Sequence, residues 1–203
     1  MTKGIIYLIV AVFTLSGCKK AEQVNCTCPP TICLQPYDNF TQQEAMKLKT
    51  ELDTHLQEIL NDSFIVKVLP NKPLSKDLLN DAKTRYKGER IISSLEDSPS
   101  TTIALTHKDI SIEYNGKKDW GVLGVSFRKT PPCNACAVSD YRLKNKKRDL
   151  WKVVVHEFIH TYYSYSHCPK DSTHCIMKDA KGHADFSNKT DLCETCKDAL
   201  LMH

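Results

Sequence analysis

From residue 30 onwards the chain alternates short, continuous apolar runs with apolar residues spaced three and four apart. Ile32 to Gln35 is a short apolar run that predicts a first strand. Thr41 and Glu44 form a capping box ahead of Met46, Leu48, Leu52, Leu56, Ile59 and Leu60, whose spacing predicts an amphipathic helix. Phe64 to Leu69 is rich in β-branched residues and stops at Pro70, so a strand is expected there. A second helical stretch is expected from about Ser75 to Leu95, interrupted near Gly88, and then a strand over Thr101 to Thr106. Ile110 to Tyr114 and Trp120 to Phe127 predict strands around an Asn115-Gly116 turn. Ala137 to Leu143 predicts another, and the charged run from Lys144 to Asp149 reads as a solvated helix entrance. Leu150 to Tyr163 predicts a helix whose Leu150, Val153, Val154, Phe158 and Ile159 can pack on a sheet. This order implies an α/β (α+β) chain with a mixed sheet, at least partly parallel.

The first residues have a different pattern. Lys3 followed by the apolar run Ile5 to Leu15 and then small residues marks 1–17 as a secretory signal, too short to span a membrane. Leu15-Ser16-Gly17-Cys18 resembles the lipobox of bacterial lipoproteins, in which the cysteine is lipidated and becomes the first mature residue; the alternative is an ordinary cleavage site with a chance cysteine. Residues 18–30, ending in Pro29-Pro30, read as a linker from the lipid to a domain spanning 31–203. The expectation is a membrane-anchored lipoprotein facing periplasm or cell surface. Lys19 stands where an aspartate would retain it at the inner membrane, so the outer membrane is favoured.

At 203 residues and 41% hydrophobic the chain can bury a real core. Its net charge of +4 comes from scattered lysines rather than a basic stripe, which argues against a nucleic-acid partner. Of ten cysteines, removing Cys18 leaves nine, an odd number that cannot all pair within one chain. For Cys26, Cys28, Cys33, Cys133 and Cys136, disulfides are the default in an exported protein.

The chemistry concentrates between Val153 and Cys196. His156-Glu157-Phe158-Ile159-His160 places two histidines about 40° apart on one helix face, able to offer two imidazoles to one metal, with Glu157 beside them as a candidate base. His167, Cys168, Cys175, Cys193 and Cys196 follow, a ligand set that suits zinc. A catalytic zinc needs a third protein ligand, and His167 is the candidate. On a continued helix it would lie about 16 Å along the axis from His156, so the helix must end near Tyr163 and turn back through Ser164-Tyr165-Ser166. His174 and His183 are weaker candidates.

This segment resembles the metzincin motif, and specifically the archaemetzincin family, which reads His-Glu-x-x-His-x-x-Gly-x-x-His-Cys, four residues, Cys-x-Met, and later Cys-x-x-Cys. His156, Glu157 and His160 match its start, His167-Cys168 its third histidine and first cysteine, Cys175 and Met177 its Cys-x-Met, and Cys193 and Cys196 its closing pair. Weaker similarity extends upstream through Cys33 to Pro36, Arg85-Tyr86 with Ile91 to Leu95, Thr106 to Ile110, and Ala137 to Leu143. Two departures stand out. Tyr163 holds the glycine position with the third histidine one residue late, so strict alignment puts Ser166 at the metal; and six residues rather than four separate Cys168 from Cys175.

The resemblance implies a metzincin-like zincin with an N-terminal lobe over about 31–163 and a smaller Cys-rich lobe over about 164–203. It also implies a structural zinc on Cys168, Cys175, Cys193 and Cys196, and Met177 as the Met-turn residue below a catalytic zinc on His156, His160 and His167. Two disulfides among the four cysteines remain the alternative. The expected activity is hydrolysis of a peptide or protein substrate with Glu157 as general base. A catalytically silent zinc-binding lipoprotein, which the late histidine and missing glycine would suit, and a site using an acidic third ligand such as Asp179 are the rival readings.

Overall fold

The computed structural model describes residues 30–95, 100–128, 134–180 and 186–202. Cys18, Cys26, Cys28, Cys133, His183 and the expected signal and linker lie outside them. The chain runs β1 (Thr31–Pro36), α1 (Gln42–Leu60), β2 (Ile65–Val68), β3 (Tyr86–Lys87), α2 (Gly88–Ser94), β4 (Thr101–Thr106), β5 (Ile110–Tyr114), β6 (Lys117–Val122), β7 (Gly124–Arg128), β8 (Asn134–Ser139), α3 (Leu150–Tyr162) and α4 (Glu194–Leu201). Strands β2-β1-β4-β8-β7 form one sheet, parallel except for β7, and β3-β5-β6 form a second, smaller one.

Period-two alternation sorts the large sheet's side chains into two cores. Ile32, Leu34, Val66, Ile103, Leu105, Cys136 and Val138 join α1 and α3, while Ala104, Val125, Ala135 and Ala137 join α2 on the other face. The small side chains on this second face let α2 and the smaller sheet approach closely. On the first face, Phe158 is 1% exposed and packs edge-on against Phe64 at 5.1 Å between centroids. Its truncation to alanine would cost about 3–5 kcal/mol. Helix α1 begins with the expected capping box: Thr41 accepts from the Glu44 backbone N–H and Glu44 accepts from that of Thr41.

Several expectations fail. The stretch from Ser75 to Leu95 is mostly not helical: a single 3-10 turn (Lys76–Leu78) precedes β3, and Gly88 opens α2 rather than interrupting a helix. Asn80 is the cause, since its buried side chain accepts from the Thr84 and Arg85 backbone N–H groups and pins a loop. The strand expected to reach Leu143 instead begins at Asn134 and ends at Ser139. Leu143 is buried from a 3-10 segment (Tyr141–Asp149), whose Lys144 and Lys146 depart from helical dihedrals.

The strand expected from Trp120 to Phe127 divides at Leu123. β6 pairs with β5 in the small sheet and β7 with β8 in the large one, so the chain bends at Leu123 and crosses between sheets. The Asn115-Gly116 turn that starts this run has φ of 48° and 75°, as a two-residue hairpin requires. Of the five cysteines expected in disulfides, Cys33 and Cys136 are free thiols among the described residues, and Cys26, Cys28 and Cys133 lie outside them. Among the described residues no helix is long and apolar enough to cross a membrane.

Candidate active site

Helix α3 is buried along nearly its whole length, and it carries His156, Glu157 and His160 towards β7. The Nδ1 of His156 lies 2.8 Å from the carbonyl oxygen of Ile176, and that of His160 lies 2.6 Å from the carbonyl oxygen of Tyr165. A carbonyl only accepts, so both Nδ1 atoms carry the proton and both Nε2 atoms present lone pairs. Those two Nε2 atoms face each other at 3.1 Å. Two lone pairs at that distance repel unless a cation lies between them. Burial, reinforced by neighbouring positive charge (His160 on His156, His167 on His160), pushes the pKa of both rings below the usual histidine value, which keeps the lone pairs available for a metal.

His167 completes the group, its ring centroid 5.3 Å from that of His156 and 4.7 Å from that of His160. The ligand atoms of the three lie within 4.8 Å of one another. Zinc–nitrogen bonds of about 2.0–2.1 Å at tetrahedral angles require nitrogens about 3.4 Å apart, so the set fits zinc.

The turn that brings His167 back accounts for the first departure from the family pattern, the missing glycine and the late histidine. α3 ends at Tyr162, and Tyr163 keeps right-handed dihedrals (φ −90°, ψ −4°). The left-handed position falls on Ser164, at φ 51°. The extra residue is therefore absorbed by the helix end: the left-handed residue moves from Tyr163 to Ser164, and His167 follows it by three positions, as the family's third histidine follows its glycine. Ser166, the residue of strict alignment, lines the same cleft, while His167 supplies the third converging ligand atom.

Glu157 is 7% exposed and lies beneath β7. Gly124 makes the room: a Cβ there would lie 2.5 Å from Glu157 Cγ and 2.6 Å from its Oε1. Burial pushes the carboxyl up to about 7, against the lowering effects of a Ser126 hydrogen bond and the Lys189 charge. Gly124 and Ser126 were missed by the sequence reading. Gly121 and Gly124 within a strand were the available signal, because glycine there marks close approach by another group.

The four cysteines form a second cluster. Cys168 Sγ is 3.6 Å from Cys193 Sγ and Cys175 Sγ is 3.7 Å from Cys196 Sγ. Disulfide sulfurs lie about 2.05 Å apart, whereas zinc–sulfur bonds of about 2.3 Å place thiolates about 3.8 Å apart. The arrangement fits zinc and not two disulfides. Burial alone would raise the Cys168 thiol, but N–H groups of Ser172 and Lys170 aimed at it bring it down to about 7. Met177 is fully buried in the tight turn closed by the Lys178 N–H to Cys175 carbonyl bond. His174 is held elsewhere, its Nδ1 3.1 Å from the Asn188 carbonyl oxygen, and Asp179 lines the same cleft outside the converging ligand group.

That cleft, about 1130 Å³, extends from the histidines past Gly124 and Gly121 to Trp120, Arg85 and Arg142. No protein-family model and no curated protein matches the chain. Solved structures do match it. The archaemetzincin of Methanopyrus kandleri aligns with a TM-score of 0.69 and 19% identity over 88% of this chain and 97% of that one. The archaemetzincin of Archaeoglobus fulgidus, solved in complex with malonate, aligns with a TM-score of 0.62 and 23% identity over 83% and 99%. In fold, this chain is archaemetzincin-like.

Proposed function

We propose that the protein is a zinc-dependent metallopeptidase. One observation carries the reading: two deprotonated Nε2 atoms 3.1 Å apart, with His167 converging on them, beside a buried carboxylate. His156, His160 and His167 would hold a zinc ion, which would supply Lewis acidity to the site and make water a nucleophile near neutral pH. The chain's own groups do the rest. The carbonyls of Ile176 and Tyr165 hold the two imidazoles in one tautomer and orientation. Glu157 Oε takes the proton from the attacking water and passes it to the nitrogen of the leaving amine, and a carboxyl near 7 both accepts and releases at neutral pH. β7 is an edge strand along the cleft, so its open side can take an extended peptide through main-chain hydrogen bonds.

The second cluster would hold a structural zinc on Cys168, Cys175, Cys193 and Cys196, giving two ions per chain. The reading as a silent zinc-binding lipoprotein drew on the late histidine and the missing glycine, and the shift of the left-handed residue to Ser164 accounts for both. Membrane attachment through Cys18, with the domain facing periplasm or cell surface, is part of the proposal and rests on the sequence of the first eighteen residues. The deciding experiment is Glu157→Gln: the variant should keep two zinc ions per chain by elemental analysis and lose hydrolysis of a peptide library. Retained hydrolysis would remove Glu157 from the mechanism.

A further inference from the structure

The end of the cleft away from the histidines has a charge arrangement that peptide hydrolysis alone does not require. Asp109, whose side chain is 12% exposed, receives Arg85 Nε at 2.6 Å and Arg142 through Nε at 2.8 Å and Nη2 at 2.9 Å. One carboxylate thus serves two guanidinium groups. Lys144 lines the same end and is exposed, so these four cleft-lining residues carry three positive charges against one negative, a net 3 − 1 = +2. Lys144 is also held at φ 50°, ψ −114°, a conformation L residues adopt only at a cost of about 1–3 kcal/mol. The fold retains a strained lysine at the rim of its cleft. Arg142 uses Nε and Nη2 on Asp109, so its Nη1 edge takes no part in that fork.

Two glycines set the distance from this charge to the chemistry. A Cβ at Gly121 would overlap the Arg142 guanidinium, and one at Gly124 would overlap Glu157. The two positions lie three residues apart, at most about 10 Å, since the chain bends at Leu123 where it crosses from β6 to β7. A peptide laid along β7 advances at the same rate, so Arg142 faces the residue two or three positions from the bond that Glu157 acts on. Pairing antiparallel to β7, the commoner arrangement, directs the peptide's C-terminal side towards β6 and Arg142.

We propose that Arg142, with Arg85 and Lys144, forms a carboxylate-binding subsite that selects peptides bearing an acidic group two or three residues to the C-terminal side of the scissile bond. The position rests on the peptidase reading; the charge selection does not. The carboxylate can be an Asp or Glu side chain or the peptide's own C-terminus, and the test separates them.

Zinc-loaded, full-length Glu157→Gln is titrated calorimetrically at low salt with matched peptides carrying Glu or Gln at that position, and with short peptides ending there as acid or amide. A carboxylate should tighten binding by about tenfold. A Glu-over-Gln preference identifies a side chain, and an acid-over-amide preference a terminus. Adding Arg142→Gln should abolish the preference, and so should Lys144→Glu, which alters only an exposed rim residue and keeps the test decisive if the Arg142 variant does not fold. Equal binding of charged and neutral peptides, no binding of any of them, or a preference unchanged in Lys144→Glu overturns the subsite. Hydrolysis by the wild type without a carboxylate preference overturns the subsite alone. A preference in binding with no hydrolysis by the wild type overturns the peptidase reading alone.

Discussion

Gly124→Ala tests the placement of Glu157 most directly. The new methyl carbon would meet Glu157 Cγ at 2.5 Å, Oε1 at 2.6 Å and Cδ at 2.7 Å. Ordinary carbon contacts start near about 3.5 Å, so the carboxyl must retreat by about 1 Å. It has little room to do so, because it is buried, with the Ser126 hydroxyl bonded to it and the buried Cys136 thiol within electrostatic reach. A shift of about 1 Å in a catalytic group costs about a hundredfold in kcat/KM, and overpacking costs about 1–3 kcal/mol of stability. The stability loss is diagnostic, since glycine to alanine at an unstrained strand position normally stabilises by about 0.4–1 kcal/mol. The imidazoles are held from other segments, so zinc content should be unchanged. Thermal melts, elemental analysis and peptide turnover read the three quantities. Shortening the acid by one carbon draws the carboxyl back about 1.5 Å. The destabilisation caused by Gly124→Ala should therefore largely disappear in a Glu157→Asp background, as measured by a double-mutant cycle. Wild-type turnover in Gly124→Ala with equal or greater stability would refute the contact and the position of Glu157 with it.

Three further outcomes are expected. Ser164→Val places a β-branched residue at φ 51° and should cost about 2 kcal/mol while weakening zinc retention through displacement of His167; unchanged zinc affinity in competition with a chelator would contradict the turn described above. Cys196→Ser should reduce zinc from two ions per chain to one and release thiols to a titrating reagent, whereas one ion in both proteins would mean that the cysteines hold no metal. In metal-free protein, Glu157 keeps its proton up to about pH 7 while the unfolded chain releases it near 4.5, so its contribution makes stability fall as pH rises between those values, by about 3 kcal/mol. His156 acts oppositely, because its lowered pKa means stability is lost as pH drops below 6.5, but this effect is shared by wild type and Glu157→Gln. The difference between the two proteins should therefore appear between about pH 4.5 and 7 in urea titrations, with Glu157→Gln the more stable at pH 8, and a pH-independent difference would count against the burial of the carboxyl.

What was legible in the sequence was whatever local spacing determines. The Thr41–Glu44 box located α1, the Asn115-Gly116 pair located a hairpin, and the apolar side of α3 located the histidines. The helix expected over Ser75 to Leu95 failed because one buried side chain, Asn80, outweighed periodicity by giving the backbone a loop to bond to. The division of the Trp120 to Phe127 run was illegible for a different reason: both halves are extended, and only their partners, β5 and β8, differ. His167 could be nominated by reach, but the residue that makes its return possible could not. The pattern drew attention to Tyr163, whereas the left-handed position is the unremarkable Ser164. The room for Glu157 was signalled only by an absence, a strand position without a side chain.

The two carbonyls that orient the imidazoles have a consequence for how the chain reaches its working state. Ile176 stands between Cys175 and Met177, and the Tyr165 hydroxyl donates to Cys196 Sγ at 3.4 Å while its carbonyl holds His160. The histidines are therefore oriented by the same segments that carry Cys175 and Cys196, whose Sγ atoms lie 3.7 Å apart. A chain in which the Cys196 segment has not docked can form α3 but leaves its imidazoles undirected. Completion of the C-terminal cysteine cluster thus acts as a checkpoint, so that a half-folded chain carries the His-Glu-x-x-His residues without the geometry to use them.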